Sequence, residues 1–162
     1  MVTSRKTFAV MAGLATCHLL AATPVLAQSA PFAGFSGAWS GAGTIMLADG
    51  SKERLRCRAS YRLSSGDNAL QQSLRCASDS YKFELSSDVV SEGGRVSGSW
   101  TETSRGISGS LQGRASGGRI AVAAESPMFS ANITLTTSGN RQSVSITSQG
   151  DIRNVSIAMT KI

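Results

Sequence analysis

A chain of 162 residues that is 41% hydrophobic has room for one compact domain, which excludes a multidomain assembly. Its formal charge of +6 falls to +4 if Arg5 and Lys6 leave with an N-terminal signal, too little to make an electrostatic case for nucleic acid. The one histidine, His18, lies in that same segment, so the mature chain can hold no Ser-His-Asp triad, Cys-His pair or histidine zinc site.

Arg5 and Lys6 precede an uncharged run from Thr7 to Leu26, and Val25-Leu26-Ala27 stands before Gln28. A basic start, an apolar middle and compact residues at a cleavage point predict a secretory signal peptide over residues 1–27, cut near Ala27. Thr16, His18, Thr23 and Pro24 interrupt the run, which argues against a transmembrane anchor. Leu14-Ala15-Thr16-Cys17 resembles a lipoprotein box, but threonine before the cysteine fits it poorly and the apolar run continues past it. The mature protein is therefore expected to be periplasmic or secreted. Cys57 and Cys76 are then its cysteines, and an oxidising compartment makes a disulfide between them the default.

Residues 28–34 read as a short leader to a single domain over 35–162. From Phe35 onward, short stretches alternate apolar and polar residues between Gly, Asp, Asn and Ser, without a helical stripe. This predicts antiparallel strands at about 35–47, 51–64, 69–77, 80–92, 95–104, 107–116, 119–126, 129–138, 141–149 and 152–161. Opposed residues of a hairpin keep a constant sum of positions and must share a face, so each turn can be tested. Placing Gly66-Asp67 at the first such turn sets Cys57 opposite Cys76 and Tyr61 opposite Gln72. Turns at Ser78-Asp79, Gly93-Gly94, Arg105-Gly106, Gly117-Gly118, Pro127-Met128, Gly139-Asn140 and Gly150-Asp151 also keep the apolar face intact. By this register Cys76 meets Tyr81, Leu74 meets Phe83, and Glu102 meets Gly109. Ala48-Asp49-Gly50 supplies a three-residue connection between the first two strands.

The fold class predicted is all-β: an antiparallel up-and-down meander of about ten strands closing into a calycin-like β-barrel, with a two-sheet β-sandwich as the alternative. Closure with an even strand number removes both exposed edges. Trp39, Tyr61, Gln72, Tyr81, Phe83, Trp100 and Glu102 are the candidate lumen residues, an apolar lining with a few polar groups suited to a small ligand. The plainer reading of Trp39 and Trp100 is core packing, and of Glu102 a solvated rim position. Glu102 has no obvious second catalytic group, so no enzyme activity is expected. On the other face Arg54, Arg56, Arg58, Arg75 and Lys82 form a basic patch, with Arg58, Arg75 and Lys82 in one row. It reads either as a solvated wall or as a dock for an envelope component or anionic surface. Asn132-Ile-Thr and Asn154-Val-Ser match the glycosylation acceptor pattern, which is common by chance.

Gly37-Ala38-Trp39 resembles the Gly-x-Trp of lipocalins, and Trp100 is similar to the lumen tryptophans of avidin-type barrels. Ten strands look more like fatty-acid-binding proteins. The C-terminal helix of lipocalins and the helical lid of fatty-acid-binding proteins are both missing from the strand pattern. As a whole the chain is similar to small exported proteins of alphaproteobacterial type. The resemblance implies a ligand-binding barrel of the calycin group. The resulting expectation is an exported barrel binding a small, largely apolar ligand in its lumen, with no catalysis, cofactor, metal or nucleic acid. Two alternatives stand beside it: an envelope interaction protein docking through the basic face, and a small outer-membrane barrel.

Overall fold

Strands that are apolar on one side and polar on the other must bury the apolar side, and here they do so by curling into a closed antiparallel barrel. The computed structural model describes residues 30–162; the expected signal peptide, its cleavage point, Cys17 and His18 lie outside the described residues. The strands are β1 (Gly37–Leu47), β2 (Lys52–Ser64), β3 (Ala69–Ala77), β4 (Lys82–Glu92), β5 (Arg95–Glu102), β6 (Ile107–Ser116), β7 (Arg119–Ser126), β8 (Phe129–Ser138), β9 (Arg141–Ser148) and β10 (Ile152–Lys161). They follow one another around the barrel in chain order. β10 returns to β1, pairing Lys161 with Trp39 and Asn154 with Met46 before a bulge. Every strand thus has two hydrogen-bonded neighbours, and the sandwich alternative falls because no edge is left to divide two sheets.

Burial follows the strand period. On β2, Leu55, Cys57, Ala59 and Tyr61 are buried while Arg54, Arg56, Arg58 and Ser60 are exposed. The exterior of β8 carries Ser130, Asn132, Thr134 and Thr136 between the inward residues Ala131, Ile133 and Leu135. A barrel that spans a membrane needs an apolar outward band. This one has the opposite polarity, with its apolar side chains turned inward and polar ones outward.

The expected register holds at seven hairpins, including Cys57 opposite Cys76, Glu92 opposite Arg95, Ser116 opposite Arg119 and Ser126 opposite Phe129. The disulfide closes between Cys57 and Cys76, whose Cα atoms are 4.1 Å apart. Ala48-Asp49-Gly50 makes the first connection, and Gly50 takes a φ of 84° that glycine adopts at little cost.

Two hairpins differ from the expectation by two residues each. Cys76 lies opposite Phe83 instead of Tyr81, and Leu74 opposite Leu85 instead of Phe83. Glu102 lies opposite Ile107 instead of Gly109, which faces Trp100. A carboxylate sets each displaced turn. Glu53, from β2, accepts hydrogen bonds from the Ser78 hydroxyl (2.6 Å) and the Ser80 backbone N–H (3.1 Å), which centres the β3–β4 turn on Asp79-Ser80. Glu102 accepts the backbone N–H of Ser104 (3.1 Å) and of Arg105 (2.9 Å), which centres the β5–β6 turn on Ser104-Arg105. The shift by two leaves every side chain on its expected face.

The wall bends most sharply at β1 and β5. β10 and β2 approach each other across β1, and β4 and β6 approach across β5. Inward glycines occupy these bends: Gly41 and Gly43 on β1, Gly98 on β5, and Gly113 on β6 beside it. A Cβ at Gly98 would collide with the Asp88 carbonyl, and one at Gly113 with the Ala121 carbonyl. Only a residue without a side chain lets the neighbouring backbone fold in so closely.

One end of the barrel is sealed by residues that precede β1. Phe32 and Phe35 are fully buried together with Trp39, whose Nε1 donates to the Phe35 carbonyl at 2.8 Å. Phe35 meets Tyr61 edge to face at 5.8 Å, and Lys161 Nζ lies 5.5 Å from the centre of the Trp39 ring. Gly37, with φ of 114°, turns the chain from this plug into β1; a side chain there would strike Lys161. This is the physical content of the Gly37-Ala38-Trp39 motif.

Candidate functional site: an apolar cavity and an outer basic face

The plug fills only one end. Above it lies a cavity of about 430 Å³, within the usual size range of small-molecule sites, whose mouth is at the opposite end between Tyr81, Arg105, Met128 and Asp151. These residues come from the β3–β4, β5–β6, β7–β8 and β9–β10 connections, so four turns form the rim. Of the residues expected in the lumen, Gln72, Tyr81, Phe83, Trp100 and Glu102 line this cavity. Trp39 and Tyr61 do not: they belong to the sealed end, where the Tyr61 hydroxyl donates to Gln142 Oε1 at 2.8 Å and Gln142 Nε2 donates to Thr137 at 3.1 Å.

The depth of the cavity is formed by aliphatic residues such as Leu55, Leu74, Leu111 and Val122, with Phe129 edge to face against Trp100 at 5.7 Å. Trp100 is 5% exposed, and its Nε1 has no hydrogen-bond partner among the described residues. Cys76 brings the disulfide to the lining. Phe129 and Arg105 are lining residues that the alternation alone did not single out; Phe129 starts a strand just after a turn, and Arg105 sits within one.

Glu102 has a structural task at the mouth. It is 6% exposed, and its oxygens accept N–H groups from Glu84 at 3.0 Å and from Ser104 and Arg105 in the turn. Burial pushes its carboxyl up, but those backbone donors outweigh the burial and hold it below the ordinary glutamate range. Arg105 completes the corner, with its guanidinium 3.7 Å from Glu102 Oε2 and 5.1 Å from the centre of the Phe83 ring. Phe83 in turn stacks on Tyr81 at 6.4 Å. The rim therefore presents aromatic faces, the Arg105 cation and the Asp151 acid, and the Glu102 oxygens are already engaged. Among the described residues no group of three or more His, Cys, Asp or Glu side chains is placed to hold a metal ion.

The basic patch is entirely on the outside: Arg54, Arg56, Arg58, Arg75 and Lys82 are all exposed. The expected row of Arg58, Arg75 and Lys82 is corrected by the β3–β4 register. Arg75 faces Arg58 on one side and Glu84 on the other, while Lys82 faces Ala77. The Arg75 to Glu84 approach is 3.9 Å between exposed side chains, so it leaves the positive charge of the patch largely in place.

No family model and no curated protein sequence matches the chain. Several solved structures share its fold, among them the following two. Rv2717c from M. tuberculosis superposes with a TM-score of 0.64 at 12% identity, covering 80% of this chain and 94% of that one. The S-type phycobiliprotein lyase CPES from Guillardia theta does so with a TM-score of 0.51 at 11% identity, covering 81% and 89% respectively. At these identities the likeness is one of fold alone.

Proposed function

We propose that this protein is an exported, non-catalytic barrel that binds a small, largely apolar molecule in its lumen. The observation that carries the reading is the asymmetry of the interior. One end is filled by Phe32, Phe35 and Trp39, whereas the other keeps an open, mostly aliphatic and aromatic cavity of about 430 Å³. A barrel with no use for that space would gain stability by filling it, because voids forfeit dispersion contacts. The engagement of Glu102 by three backbone donors supports a binding role over acid–base chemistry. The signal-like N-terminus and the Cys57 to Cys76 disulfide support export.

The test is native mass spectrometry of the protein purified from its own source, followed by organic extraction and a thermal-shift screen of apolar compounds. A discrete co-purifying molecule, or a compound that raises the melting temperature in a concentration-dependent way, is the expected result. An apo mass together with no shift from any lipid, isoprenoid or aromatic compound would reject the reading.

A further inference from the structure

Among the described residues two glutamines point into the barrel, Gln142 and Gln72. Gln142, at the sealed end, uses both ends of its amide: Oε1 accepts from the Tyr61 hydroxyl at 2.8 Å and Nε2 donates to Thr137 at 3.1 Å. Gln72 lines the cavity. Its Oε1 accepts from the Ser87 hydroxyl at 3.2 Å, but its Nε2 meets no acceptor among the described residues. An inward amide is unfavourable unless both its ends are bonded, so a wall shaped by packing alone would carry an apolar residue at this position.

The register sets Gln72 between Tyr61 and Ser87, with Trp100 and Gly109 next in the same row. Trp100 Nε1 is shut against Gly109, where an added Cβ would lie 2.9 Å from it, so this second unpartnered donor is closed to a ligand. The acceptors beside Gln72 and Trp100 are already engaged, Gln72 Oε1 by Ser87 and the Glu102 oxygens by backbone N–H groups. The polar group left open to the cavity on this wall is therefore a donor, Gln72 Nε2. The charged residues of the lining are one cation, Arg105, and two acids, Glu102 and Asp151, and Arg105 already lies 3.7 Å from Glu102. A carboxylate brought to Gln72 would be buried without a counter-charge, whereas a neutral carbonyl oxygen needs only the donor.

We propose that the lumen ligand is an uncharged carbonyl compound, an ester or ketone on an apolar body, whose carbonyl oxygen accepts a hydrogen bond from Gln72 Nε2. This rests on the lumen-binding reading and gives it a ligand class. Ser87, by donating to Gln72 Oε1, holds the amide with its own donors turned to the cavity. Gln72 lies opposite Tyr61 of the sealed end, so the molecule enters carbonyl first and its apolar body fills the space toward the aromatic rim, against Phe129. A free fatty acid of the same length is disfavoured, because neither the wall around Gln72 nor the mouth holds an uncommitted cation.

The experiment is displacement of a neutral fluorophore, phenylnaphthylamine, from the purified protein at neutral pH by three probes that share a chain length: methyl octanoate, octanoate and octane. The ester is expected to bind more tightly than the carboxylate. Gln72→Leu should weaken the ester about tenfold, the size of one hydrogen bond to a neutral group, and leave octane unchanged or tighter. Gln72→Met, closer to glutamine in shape, should give the same loss and serves if Gln72→Leu melts early. Octanoate binding as tightly as the ester, or Gln72 variants that shift the ester and octane alike or shift neither, would overturn the proposal while the lumen reading stands. A protein that takes up neither the fluorophore nor any of the three probes would reject the lumen reading and this inference with it.

Discussion

Tyr61 on β2 and Gln142 on β9 are 81 residues apart in the chain, yet the Tyr61 hydroxyl donates to Gln142 Oε1 at 2.8 Å across the sealed end of the barrel. The bond spans β1 and β10 to join two strands three places apart around the wall, and the Tyr61 ring also meets Phe35 edge to face. Tyr61→Phe is expected to cost about 1–3 kcal/mol, because a buried amide oxygen loses its donor, and chemical denaturation measures it. Burial pushes the Tyr61 hydroxyl up, well past the ordinary tyrosine range, even though the Gln142 bond acts in the other direction. The folded state therefore holds the neutral form. Stability from this group is complete below the unfolded value of about 10 and is lost as the pH rises from there through the folded value. Tyr61→Phe should remove this part of the alkaline dependence while lowering stability at neutral pH.

Glu102 gives the opposite slope. Its carboxyl is held below the ordinary range in the folded state, so its contribution is present above the unfolded glutamate value of about 4.3 and is lost as the pH falls through the folded value. Glu102→Ala leaves the N–H groups of Glu84, Ser104 and Arg105 without that acceptor and is expected to cost about 2–3 kcal/mol at neutral pH. Acid denaturation curves of the two proteins should converge at low pH. Parallel curves would show that the carboxylate does not organise this corner.

The bends at β1 and β5 predict a sharp contrast among glycines. Gly98→Ala places a methyl group against the Asp88 carbonyl and the Val89 side chain, and should cost about 1–3 kcal/mol or more through overpacking. Gly150→Ala has open space and no left-handed backbone, so it should stay within about 0.5 kcal/mol of the parent. Thermal melts of the pair compare the two sites directly.

The Cys57 to Cys76 bridge closes a loop with a sequence separation of 19. In chain-entropy terms a loop of this size is worth about 3 kcal/mol, so Cys57→Ser with Cys76→Ser should melt several degrees lower. A free-thiol assay on the oxidised protein should find neither cysteine reactive.

Ala124 lines the cavity beneath Phe129 and is 2% exposed. Ala124→Phe should occupy part of the empty volume and abolish binding of any lumen ligand, with far-ultraviolet circular dichroism unchanged. Retained affinity would place the ligand elsewhere.

Much of this molecule is legible in the chain itself. The alternation on β2, with arginines between Leu55, Cys57, Ala59 and Tyr61, determines both the wet face and the dry face. Glycine pairs such as Gly93-Gly94 and Gly117-Gly118 mark where the chain reverses. The candidate site was legible only in part. Gln72, Tyr81, Phe83, Trp100 and Glu102 follow from the inward parity, but parity says nothing about height along the barrel. It therefore could not separate Trp39 and Tyr61, at the sealed end, from the residues of the open cavity.

What the sequence determined by itself was the set of ten strands, their faces and the pairing of the cysteines, because these depend on local periodicity and on short turns. What only the tertiary structure decided was the register at two hairpins and the location of the plug. A period of two is unchanged by a shift of two, so no binary pattern distinguishes Cys76 opposite Tyr81 from Cys76 opposite Phe83. The choice falls to Glu53, a residue from a neighbouring strand, whose carboxylate finds the Ser78 hydroxyl and the Ser80 N–H only once the barrel wall has formed. Phe32 likewise precedes the strand pattern and becomes core only when the closed barrel offers it an end to fill.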